Sequence, residues 1–90
     1  MTYDEAIDDG AVYEFSFAMK SKLAESRAKG RSGWQGPGRD DEELITDLLE
    51  HLEKGNSGTF VDIANYAMML HIRGADPTAL AHAAKVWRTE

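Results

Sequence analysis

Phe60–Arg73 reads FVDIANYAMMLHIR. Phe60, Val61, Ile63, Ala64, Tyr66, Ala67, Met68, Leu70 and Ile72 cover most of a helical circumference, and the polar strip between them holds only Asp62, Asn65 and Arg73, with Met69 among them. A helix apolar nearly all round is the central helix of a small domain. Asp62 and Asn65 sit about one turn apart on it, and a carboxylate and an amide on a core helix need partners. Two readings stand side by side for Asp62. With Thr59 as N-cap, Asp62 falls at the third position of a capping box and is satisfied locally. Alternatively it is one ligand in a carboxylate cluster for a divalent metal.

Working upstream, Asn56-Ser57-Gly58 is a turn. The stretch before it, Asp41–Leu52, places Leu44, Ile45, Leu48, Leu49 and Leu52 on one helical face and Glu43, Asp47, Glu50 and Lys54 on the other side. Asp40 and Glu43 have capping-box spacing, and Gly55 ends the helix. Residues 30–39, GRSGWQGPGR, form a glycine-rich loop in which no helix is tenable. Trp34 within it needs a cover, either the domain itself or a stacked ligand. Residues 2–29 are helical, with a break expected near Gly10. They carry two stripes, Val12, Phe15, Met19 and Leu23 on one side and Tyr13, Phe17 and Ala24 on another. One stripe serves the home core, and the second suits a helix that also faces another subunit. Downstream, Asp76-Pro77 starts a final, alanine-rich helix anchored by Trp87. His71 is expected on the buried side of the third helix. The reading is an all-α, compact domain of three to four helices over residues 1–90, dimerising through the first helix.

Ninety residues without cysteine exclude a disulfide framework and thiolate metal sites, and suit a reducing cytoplasm. The opening MTYDEAIDDG is acidic where a secretory leader is basic and then apolar, and no apolar run is long enough to cross a bilayer, so a cytoplasmic protein with no membrane partner is expected. The net charge of −6 is unevenly laid out. Residues 1–19 hold five acids and no base; residues 20–39 hold six bases and only Glu25 as an acid; residues 40–62 hold eight acids and only Lys54 as a base. The basic block suits phosphate. The acidic majority argues against a protein that coats nucleic acid generally. Mutual screening of the segments, within the fold or across a dimer, is the plainer alternative.

Two constellations follow. Lys29, Arg31 and Arg39 around the glycine loop, with Trp34 as a stacking surface and Asn65 nearby, would hold a nucleotide, though the spacing is that of no P-loop. Asp47 and Glu50 on the second helix and Asp62 on the third would offer oxygen ligands to magnesium if the two helices present those edges to a shared groove. His51, one turn after Asp47, fits a local ion pair. No nucleophile–base arrangement is visible, so no catalytic residue is assigned.

The segments KSKLAESRAKGRSGW (Lys20–Trp34), ELITDLLEHLEKG (Glu43–Gly55) and VDIANYAMML (Val61–Leu70) resemble small tailed-phage proteins related to the MazG-like nucleotide pyrophosphohydrolases, over Phe17 to Gly74. That resemblance implies an all-α oligomer which splits nucleoside triphosphates with magnesium held by an E-x-x-E pair and an E-x-x-D pair. Carried over, Asp62 matches the last acid, Thr59 stands where its glutamate partner belongs, and Asp47 and Glu50 match the first pair with one acid shortened. A site short of charge and ligands suits a scaffold that kept its shape and lost its chemistry. The resulting expectation is a non-catalytic, phage-type accessory protein in the host cytoplasm. It would need no cofactor, form a homo-oligomer, and bind a host protein or a nucleotide. A magnesium-dependent pyrophosphohydrolase with a minimal site is the alternative.

Overall fold

A computed structural model describes residues 1–89. Four helices follow one another: α1 (Tyr3–Ala28), α2 (Asp41–His51), α3 (Thr59–Arg73) and α4 (Pro77–Thr89). α3 packs on both α1 and α2, and α4 packs on α2. Among the described residues no helix is long and apolar enough to cross a membrane.

Local chemistry sets the boundaries. α2 starts in a full capping box: the Asp40 carboxylate accepts from the Glu43 amide at 2.8 Å, and the Glu43 carboxylate accepts from the Asp40 amide at 3.3 Å. α4 starts after Asp76, whose side chain accepts from the Thr78 amide at 2.9 Å; this backbone bond, then the Thr78 side chain, lowers the Asp76 carboxyl below its ordinary range. α1 ends in a Schellman closure. Gly30 takes the left-handed conformation (φ 81°), its amide donates to Arg27 O at 3.0 Å, and the Arg31 amide donates back to Ser26 O at 2.8 Å. That closure fixes where Arg31 leaves the helix. Gly74 (φ 70°) ends α3 the same way.

The core is built on α2. Leu44, Ile45, Leu48 and Leu49 lie at one-, three- and four-residue steps, so all fall on one face, and they meet Met69 and Leu70 of α3. Leu23, Trp34, Tyr66, Leu80 and Trp87 pack around this centre. Each fully buried leucine contributes about 1.5–3 kcal/mol relative to exposure, and Leu44, at 1% exposure, is the most enclosed.

α1 departs from expectation. It runs unbroken through Gly10 for 26 residues and has no buried side chain. Only its C-terminal half docks, through Met19, Lys22, Leu23 and Ser26, which are half-buried, whereas residues 1–15 are all exposed. The Val12-Phe15-Met19-Leu23 stripe is therefore covered only at its second half. The protein is a compact all-α domain from which the N-terminal half of α1 extends and lengthens it. Its radius of gyration is 14.8 Å, against about 12 Å for a compact chain of this length.

Three more expectations fail for a common reason, incomplete wrapping. Leu52 lies past the end of α2 and is exposed. Phe60 is 81% exposed and Ile72 is also exposed, so α3 is covered on fewer sides than its composition suggests. His71, on the same open face as Phe60, is exposed rather than a core residue.

Candidate functional site

A cleft of about 260 Å³ lies where α1, the glycine-rich loop, α2 and α3 meet. Lys22, Leu23 and Ser26 line it from α1; Arg31, Trp34 and Arg39 from the loop; Leu44 from α2; and Asp62, Asn65, Tyr66 and Met69 from α3. The α3 residues recur at three- and four-residue steps, so a single helical face supplies them. The volume is just below the usual span for small-molecule pockets, about 300–1,000 Å³.

Asp62 is not a capping partner. The N-cap of α3 is Gly58, without a side-chain cap, and Thr59 is already the first helical residue. The Thr59 hydroxyl instead accepts from the Asn56 amide at 3.0 Å, closing the turn before the helix. This frees the Asp62 carboxylate for the cleft, where it lies 3.8 Å from Lys22 Nζ and 3.7 Å from His51 Nε2. His51 does not pair with the Asp47 carboxylate. Its Nδ1 donates to the Asp47 backbone carbonyl at 2.6 Å, because a carbonyl can only accept. With that tautomer Nε2 is an acceptor, and Lys54 Nζ donates to it at 3.3 Å. The His51 ring packs against Tyr66 with centroids 5.0 Å apart.

Asn65 is 3% exposed. Its Nδ2 donates to the Met19 carbonyl of α1 at 3.3 Å, which ties α3 to α1. Its Oδ1 is buried with no hydrogen-bond partner. An unsatisfied buried acceptor costs about 1–3 kcal/mol. Burial first, and then the negative charges of Asp47 and Asp62, push the Tyr66 phenol above its ordinary value of 10.0. Tyr66 therefore keeps its proton and remains a potential donor.

Three cations face the cleft, and they are not equivalent. Arg39 pairs with Asp47 and lies 3.6 Å from Glu43, with its own Nε buried and unbonded. Lys22 is shared between Asp62 and Glu25, the latter at 4.0 Å. Arg31 makes no ion pair among the described residues. Of the residues expected to hold a nucleotide, Arg31, Trp34 and Asn65 line this one cleft, whereas Lys29 is exposed at the end of α1 and does not line it. Lys22 and Tyr66 were not anticipated. The pattern that could have found them is the i, i+4 relation of Lys22 to Ser26 and of Asp62 to Tyr66, read on the two faces that meet.

Trp34 is placed by Arg73. The guanidinium donates to the Trp34 and Gly36 carbonyls, the latter at 3.4 Å, and to Asp41 Oδ1 at 2.7 Å. One side chain at the end of α3 thus holds both the loop and the first turn of α2.

The acids expected to hold magnesium do not fit that ion as they stand. Asp47 closes on Arg39, Asp62 lies between Lys22 and His51, and Glu50 is exposed on α2. Among the described residues no three metal-ligating side chains converge. No family profile, curated protein or solved structure matches the chain.

Proposed function

We propose that this is a non-catalytic, phage-type accessory protein on a degenerate MazG-like scaffold, and that it acts by binding a nucleotide in the cleft between α1, the glycine-rich loop and α3. One observation carries the reading: an unpaired arginine, an indole and an orphaned buried acceptor converge on the same small space, from Arg31, Trp34 and Asn65. Arg31 supplies the planar donor fork that suits phosphate. Trp34 offers a face on which a base stacks, worth about 1–3 kcal/mol per base. Asn65 Oδ1 accepts one N–H or O–H from the ligand, relieving its unsatisfied state. Lys22 and Arg39 flank the anion, and Tyr66 keeps a hydroxyl to donate.

Binding rather than turnover is favoured by how the carboxylates are used. Asp47 and Asp62 each answer a cation and hold it in place, so the pair serves to position Arg39 and Lys22. The catalytic alternative draws on the same residues: Asp47 and Asp62 both act on the Tyr66 hydroxyl and so share one neighbourhood.

The test is a thermal-shift titration with nucleoside mono- and triphosphates, with and without magnesium, alongside a pyrophosphate assay. The proposal expects a concentration-dependent rise in melting temperature that Arg31→Ala displaces to about tenfold higher nucleotide, and no pyrophosphate. Steady pyrophosphate release lost in Asp62→Ala would replace it with the hydrolase. No shift with any nucleotide would sink the cleft reading and leave a host protein as the partner.

A further inference from the structure

α1 carries a second stripe, on the side turned away from its own domain. Tyr3, Ala6, Gly10, Tyr13 and Phe17 recur at three- and four-residue steps and Ala24 follows one heptad on, the spacing of a helix–helix seam, and all are exposed. The docked residues Met19, Leu23 and Ser26 lie roughly 150° around the helix from them, at 3.6 residues per turn. The aromatic part of the stripe is already ordered. The Tyr13 and Phe17 rings meet edge to face at 4.9 Å, and Lys20 Nζ lies 5.9 Å from the Phe17 centroid.

We propose that this face pairs with the same face of a second copy of the chain, antiparallel, about a two-fold axis that crosses the seam at the axial level of residue 15. Charge chooses both the partner and the direction. Residues 1–19 hold five acids and no base, while Lys20, Arg27 and Lys29 follow, Lys22 being turned to the cleft and Asp62. A parallel pair sets acid on acid and base on base. An antiparallel pair lays the acidic half of each helix along the basic half of the other. The side chains agree with that register. Tyr13 meets the partner's Phe17, Ala6 meets the partner's Ala24 so that the backbones close in, Gly10 leaves room for the partner's Lys20, and Tyr3 lies against the partner's Arg27. The symmetry makes every contact occur twice. This face is on the far side of α1 from the nucleotide cleft, so neither proposal depends on the other.

Light scattering or sedimentation of the full chain, from micromolar to near-millimolar concentration, should give twice the one-chain mass of 10.0 kDa. Raised salt should weaken the pair. Tyr13→Glu with Phe17→Glu should raise the self-dissociation constant on the order of 100-fold, as for losing two central aromatic anchors. Val12→Glu, on the other face, should leave it unchanged. A single-chain mass at every concentration overturns the proposal, as does a dimer that Val12→Glu breaks and the aromatic pair does not. Orientation is read independently, because the chain has no cysteine. A mixture of Ala6→Cys and Ala24→Cys chains should form a disulfide between the two variants, and neither variant should cross-link to itself, since a disulfide needs Cα atoms within about 7 Å. Cross-linking of Ala6→Cys chains to one another would mean a parallel pair and would also overturn it.

Discussion

α2 buries four side chains in eleven residues, whereas α1 buries none in twenty-six. Both are amphipathic to the eye, and both begin with a side-chain cap and acids in the first turn. The difference lies in what each face meets. α2 is enclosed by α3 and α4, while α1 touches α3 along its second half alone. Helix length is therefore no measure of contribution to the fold. The shortest helix of the protein holds most of its core. The longest leaves most of its apolar residues exposed, free for use outside the domain.

Four experiments would break or sharpen this contrast, from the largest effect down. Leu44→Ala should cost about 3 kcal/mol of folding stability through lost burial and the cavity left behind, while Val12→Ala should stay within about 0.5 kcal/mol. Denaturant titration compares them directly, and equal losses would mean that α1 packs on the domain after all. Arg73→Ala should cost about 2 kcal/mol, as expected for hydrogen bonds to a charged group. Amide exchange should quicken around Trp34–Gly36 and remain as it was along Tyr3–Phe15. Unchanged exchange in the loop would remove Arg73 as its anchor. Arg31→Ala should leave the melting temperature in place yet weaken nucleotide binding about tenfold, the loss of one charge-assisted contact; isothermal titration reads the affinity. The smallest effect is in the alkaline limb of stability. The Tyr66 phenol is raised above 10.0 in the fold, so the folded state holds its proton longer than the unfolded chain does. Its contribution is present below pH 10.0 and is lost as pH climbs from there through the raised folded value. Tyr66→Phe should flatten that decline in melts taken at successive pH values, and an unaltered slope would deny the burial of the hydroxyl.

How much of this is legible in the chain depends on the range of the interaction. The starts of α2 and α4 are readable because caps are local: Asp40 answers Glu43, and Asp76 answers Thr78. The leucine face of α2 is readable from its spacing. The same locality misleads at Thr59, where capping-box spacing is present one residue too late, because Asn56 has already turned the chain and engaged the Thr59 hydroxyl. What escapes sequence reading is partner identity across the chain. Asp62 meets Lys22, Asn65 meets the Met19 backbone, and Arg73 meets Asp41 and the Trp34 loop. Periodicity names a face but not the element opposite it, so Val12 and Phe15 look the same as Met19 and Leu23. For the cleft, Arg31, Trp34 and Asn65 are suggested by residue type alone. Lys22 and Tyr66 emerge only once α1 and α3 are set side by side.

The Arg73 guanidinium is a single latch. It reaches Trp34, Gly36 and Asp41 together, so the three attachments are not independent. Core packing of the Trp34 indole and the pairing of Arg39 with Asp47 hold the loop at other points, so losing Arg73 would loosen its middle first. Arg73 is followed at once by the left-handed Gly74, so the residue that holds the loop also stands at the turn that leads into α4.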